Sequence, residues 1–169
     1  MTLTPALRKL TLAAHLTLSV GWIGAVIAFL ALAARGVGSR EEQQMRAAFL
    51  SMGFLAPYVI VPLAMTSLAS GLLSALGTQW GLLRHYWVLF KFALTIAALA
   101  VLLVQLGPIA ALADAASDST RSMATLPEAK RPLVHAAGGL IVLILVQALG
   151  VYKPRGMTRY GQRERERDQ

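Results

Sequence analysis

The sequence predicts an all-α, polytopic membrane protein: four transmembrane helices in an up-and-down bundle, with both termini on the cytoplasmic side. Three observations carry this. Of 169 residues, 56% are hydrophobic and only 14% charged, whereas soluble domains hold roughly 25% charged residues. Four stretches, about 11–34, 50–76, 85–106 and 133–152, reach the roughly 20 apolar residues that 1.5 Å of rise per residue requires to cross a bilayer. The basic residues cluster at the ends of those stretches and in a tail at 153–169. One membrane domain accounts for the whole chain, because nothing between the spans is long enough to build a second.

The first span follows Arg8 and Lys9, and Ala31-Leu32-Ala33 resembles a small-residue cleavage site. Its apolar stretch from Leu10 to Ala34 exceeds the roughly 7 to 15 residues of a signal-peptide core, so a retained span is expected. Gly36, Gly38 and Ser39 end it, and Glu41-Glu42 suit the N-terminus of the next helix. The second span holds Pro57 and Pro62, which remove backbone hydrogen bonds and predict a kink in its outer half. Thr66, Ser70 and Ser74 form a hydroxyl stripe suited to interhelical hydrogen bonds. Only the turn Gly77 to Gly81 separates the second span from the third, which makes those helices antiparallel neighbours. The segment from Gly107 to Pro132, rich in Ala, Ser and Asp, is expected to be an exposed loop with at most a short surface helix. After the fourth span, Arg163-Glu164-Arg165-Glu166-Arg167 alternates in charge with nothing apolar to bury and is expected to be solvated and disordered.

Cytoplasmic flanks carry the excess of Lys and Arg in membrane proteins. Arg8, Lys9, Arg84, Lys153, Arg155, Arg159, Arg163, Arg165 and Arg167 lie on one side, against Arg35, Arg40, Arg46, Arg121, Lys130 and Arg131 on the other. The majority side is therefore assigned to the cytoplasm, and Trp80, Tyr86, Trp87, Tyr152 and Tyr160 there fit an interfacial aromatic belt. The net charge of +8 is a topology signal, not a nucleic-acid footprint. The expected partner is the lipid bilayer of the inner or plasma membrane, and the bundle is compatible with an oligomer.

With no cysteine, thiolate chemistry and disulfides are excluded, and a metal or haem is left with His, Met, carboxylate or Lys as ligand. No phosphate-cradling loop, Ser/His/Asp set or pair of intramembrane carboxylates occurs. This argues against hydrolysis and against carboxylate-driven proton pumping.

Ionisable groups within hydrocarbon are costly and are functional suspects. His15, Ser19 and Trp22 share one face of the first span, beside a small-residue stripe at Thr17, Gly21 and Ala25. On the third span Trp87, Lys91 and Thr95 form a polar stripe, with Arg84 and Gln105 near the same face. Lys91 can serve a site or snorkel toward the headgroups, and His85 is expected at the interface. On the fourth span His135 precedes Gly138 and Gly139, which leave room for a flat group or for a helix. His15 and His135 are the metal-ligating candidates. His15 and Lys91 fall in the inner half and His135 in the outer half, so one haem does not readily use both histidines.

Three pieces of sequence resemble a group of small four-helix bacterial membrane proteins that includes the HemJ-type protoporphyrinogen oxidases and the CopD-type copper-resistance domains. His15 with Trp22 and Gly24 looks like the first-helix histidine motif, and Trp87 with Lys91 looks like the third-helix Trp and Lys. Val151-Tyr152-Lys153-Pro154 resembles the end of the last helix. In the HemJ-type enzymes the corresponding histidine and lysine are implicated in haem b binding and activity. This chain has His135-Ala-Ala-Gly-Gly where the HemJ type carries Arg-Asn-Glu-Pro, and Leu89 where a histidine is expected. The resemblance implies a haem b site between spans one and three, with His15 as axial ligand, Lys91 as second ligand or propionate partner, a role in electron transfer or porphyrin oxidation, and a porphyrin or redox partner protein as partner. The alternative is a non-enzymatic copper-handling component or assembly subunit without cofactor, although Met45, Met52, Met65 and Met123 are scattered along the chain.

Overall fold

The computed structural model describes residues 4–77, 82–123, 127–154 and 156–167. The turn 78–81, with Trp80, and Arg155 lie outside the described residues. Four helices are long and apolar enough to cross a membrane: α1 (Pro5–Gly38), α2 (Glu42–Leu76), α3 (Tyr86–Ser117) and a fourth whose α-helical part is α4 (Arg131–Tyr152). A 3-10 turn at Pro127–Lys130 leads into α4, and a short helix α5 (Arg159–Arg167) follows it. No strand occurs among the described residues.

Local chemistry sets the helix ends. The Thr4 hydroxyl accepts from the Leu7 amide and Pro5 occupies the first turn, where its missing N–H costs nothing. α4 ends at Lys153, which takes a left-handed conformation (φ 42°, ψ 64°) and turns the chain away before Pro154.

The helices pack in a ring, with α1 against α2 and α4, and α3 against α2 and α4. Contacts run in opposite directions along neighbouring helices. From the end of α1 backwards, Gly36 meets Phe49, Gly21 meets Leu63 and Gly71 meets His15. The core is apolar, from Trp22, Phe29 and Ala33 through Phe49, Met52 and Ile60 to Ile109 and Leu143. The outer faces are apolar too: Val104 is 74% exposed and Phe90 63%. Helices apolar all round belong in hydrocarbon, where the outward faces meet lipid.

Of three expectations, two need correction and one gains its local form. α3 does not stop at Leu106 but runs on through Pro108 to Ser117. Proline removes one backbone bond and disfavours continuation, yet the added turns bury Ile109, Leu112, Ala115 and Ala116. Gly53 of α2 lies so close that a Cβ on it would stand 2.5 Å from Ala113. Arg46 closes the end of α3 by donating to the carbonyls of Ala116 (3.1 Å) and Asp118 (2.6 Å). Second, the Pro57–Pro62 region, where a kink is expected, holds a π-helical turn, Ala56–Ile60, which accommodates the proline-depleted hydrogen-bond ladder.

Third, the tail is helical and docked. Thr158 donates from its hydroxyl to the Leu83 carbonyl (2.6 Å) and from its amide to Arg84 (3.0 Å), and Arg84 pairs with Glu164 at 2.5 Å. Gly161 lies against the Arg84 backbone, where a Cβ would come within 2.5 Å of the carbonyl oxygen. Polar contacts, not apolar burial, order this segment.

Candidate functional site

α1, α2, α3 and α4 enclose a cavity of about 470 Å³ toward the end where α1 begins and α4 ends. His15, Trp22, Trp87 and Lys91 all line it. The volume falls in the ~300–1,000 Å³ range of small-molecule sites. Four of the five residues singled out from the sequence are therefore brought together. His135 is not: it lines a second cavity of about 380 Å³ between α3 and α4. Trp22 and Leu143 border both cavities and form the partition.

His15 is held in one orientation by α2. Its Nδ1 lies 3.0 Å from Ser70 Oγ, and Ser70 itself donates to the Ser67 carbonyl at 3.0 Å. The Ser70 hydroxyl proton is thus committed, so its oxygen accepts from His15 Nδ1–H. The Nε2 lone pair is left available, as an iron-ligating imidazole needs, with a second partner fixing the tautomer. Gly71 gives the ring its room, since a Cβ there would stand 3.0 Å from His15 Cε1. One turn along α1, Ser19 and Ser67 exchange a hydrogen bond of 2.9 Å. Ser74 adds a buried hydroxyl with no hydrogen-bond partner among the described residues. The predicted stripe is thereby corrected: Thr66 is exposed and bonds back to its own helix at Pro62, while Ser67 and Ser74 line the cavity and Ser70 is buried behind His15. A repeat of 3.6, not 4, residues decides which hydroxyls face inward.

Lys91 reaches across to α4. Its Nζ lies over Gly150, where a Cβ would stand at 2.9 Å. Among the described residues no carboxylate pairs with it, and the cavity walls contain Arg8, Lys91 and Lys153 but no Asp or Glu. Sequence reading missed Gly150 and Ser67, because each depends on helix-to-helix register. Of the other residues placed on the Lys91 face, Arg84 is paired with Glu164 and Gln105 lines the second cavity.

His135 is exposed and its Nδ1 lies 2.8 Å from the Arg131 carbonyl. A carbonyl only accepts, so Nδ1 carries the proton and Nε2 the lone pair. No cluster of three or more His, Asp or Glu capable of holding a metal occurs among the described residues. Met45, Met52 and Met123 are buried in the apolar core and line neither cavity.

An apolar cavity with one oriented imidazole, the Lys91 ammonium, no acid among its described walls and an unsatisfied hydroxyl suits a flat apolar group that carries carboxylates. A haem has that chemistry, with iron for the imidazole and propionates for the cations, and the donor set fits it. Comparisons with protein-family models, curated proteins and solved structures found no match for this chain.

Proposed function

We propose that the protein is a multi-pass inner-membrane bundle, with both termini cytoplasmic, whose first cavity binds haem b or a related porphyrin in an electron-transfer or porphyrin-oxidation role. The observation that carries this reading is His15, tied through Nδ1 to Ser70 and facing a cavity that also holds the unpaired-by-carboxylate Lys91. His15 would ligate iron through Nε2. Lys91, with Arg8 nearer the mouth, would take the propionates, a role that fits an ammonium in acid-free walls better than iron ligation does. Trp22 and Trp87 would pack on the macrocycle. Haem, when bound, supplies a one-electron iron couple. The chain's own part is to orient the imidazole, compensate the carboxylates and keep water from the apolar walls. The excess of basic flanks at the α1-start and α4-end side supports the orientation.

Titration of the purified protein with haemin tests this. The wild type is expected to give a saturable Soret shift, weakened at least tenfold in His15→Ala and unchanged in His135→Ala. Equal binding by wild type and His15→Ala contradicts the assignment.

A further inference from the structure

The second cavity differs from the first in charge. Its walls come from α1, α2, α3 and α4 and are apolar except for Gln105 and His135; among the described residues no Lys, Arg, Asp or Glu lines it. Burying a charged ligand there would leave the charge uncompensated, so its ligand is neutral, unlike the carboxylate-bearing group suited to the first cavity. The cavity lies toward the lipid between α3 and α4, where Val134 is 66% and Val101 49% exposed, so a ligand can arrive from the bilayer. Gly138 and Gly139 leave a flat wall: a Cβ at either position would meet nothing within 4 Å. Two polar groups remain for recognition. His135 Nε2 is an acceptor, because Nδ1–H is engaged by the Arg131 carbonyl, and the Gln105 carboxamide offers both a donor and an acceptor.

We propose that this cavity is a binding site for a lipid-soluble hydroquinone or quinone. Its ring would lie against Gly138 and Gly139, its hydroxyl would donate to His135 Nε2, and its second oxygen would face Gln105. A flat, neutral ring with oxygens at opposite ends satisfies both polar groups, whereas an acyl chain satisfies neither. Because the proton on the ring oxygen meets the Nε2 lone pair, the reduced form is expected to bind more tightly than the oxidised form. The site stands on its own walls and does not depend on what the first cavity holds.

The test is calorimetric titration of the protein in nanodiscs with decylubiquinol under anaerobic conditions, against empty nanodiscs. The wild type is expected to show saturable binding above the partition background. Gly138→Leu, which projects into open space, is expected to weaken it at least tenfold, and His135→Leu, at an exposed position, at least fivefold. Lys91→Ala, in the first cavity, is expected to leave it unchanged. Thermal unfolding midpoints establish that each variant is folded; should Gly138→Leu fail to fold, His135→Leu and Gln105→Leu decide. Background-level partition alone in the wild type, or folded cavity variants that bind as the wild type does, would overturn the proposal.

Discussion

Lys91 of α3 rests its ammonium on Gly150 of α4, at a point where any side chain would intrude: a Cβ on Gly150 would lie 2.9 Å from Nζ. The lysine is thereby directed toward α4, and it lines the first cavity. The flexible end of Lys91 can yield, so Gly150→Ala is expected to leave folding intact but shift the ammonium. Haemin affinity should fall severalfold, and in Lys91→Ala about tenfold, corresponding to about 1.4 kcal/mol. Absorbance titrations on folded variants measure both, and an unchanged affinity in Lys91→Ala removes the lysine from the site.

Ser70→Ala deletes the acceptor for His15 Nδ1–H. One such hydrogen bond is worth about 0.5–1.5 kcal/mol, so haemin binding should weaken about two- to tenfold. The ligand is still imidazole, and the spectrum should keep its histidine-ligated form. A loss as large as that of His15→Ala would mean that Ser70 acts through folding, which the unfolding midpoint reveals.

Arg46 joins the start of α2 to the end of α3 through the Ala116 and Asp118 carbonyls, and pairs with Glu42 at 2.7 Å. Its side chain is only 17% exposed. Arg46→Ala is expected to destabilise the protein by about 1–3 kcal/mol by leaving helix-end carbonyls unpaired. It lies at the opposite end of the bundle from the first cavity, so haemin affinity should not move. Unfolding in urea-containing mixed micelles gives the first quantity and titration the second.

Gly161 touches the Arg84 backbone, and Ala there would put a Cβ 2.5 Å from a carbonyl oxygen that cannot move away freely. Gly161→Ala should therefore release α5 from the α3 end, seen as faster amide hydrogen exchange over 156–164 with the four spans unchanged. Exchange equal to the wild type would show that the docked tail tolerates the side chain.

The Asp118 carboxylate, outside the spans, accepts from the Thr120 hydroxyl (2.6 Å) and amide (3.0 Å), which hold it below the ordinary carboxylate range. A carboxyl depressed in the folded state contributes stability that is present above its unfolded pKa and lost as pH falls through the folded value. Thr120→Val should flatten that acid limb of the unfolding midpoint against pH. An unaltered limb would assign it to other carboxylates.

Span positions were legible because hydrocarbon imposes one strong rule, continuous apolarity, and all four predicted stretches lie within or nearly within observed helices. Gly107-Pro108 misled because local breaker chemistry was weighed without the burial of Ile109 and Leu112 against α2. The tail misled because apolar content was taken as the measure of order, while Thr158, Gly161 and Glu164 hold it by polar contacts with residues about 75 positions away. In the site, His15 and Lys91 were legible as ionisable groups of the inner half, Trp22 and Trp87 through the motifs they share with those residues, and His135 as a group at another depth. Ser67 in place of Thr66, and Gly150 beneath Lys91, were not, because helix rotation and register come from packing.

The most direct test of the central claim is the visible spectrum of the protein as isolated from haem-sufficient cells. The account predicts a Soret band with a dithionite-sensitive b-type spectrum in the wild type and in His135→Ala, and its loss in folded His15→Ala. A folded wild-type protein with no Soret band, even after haemin supplementation, would contradict it.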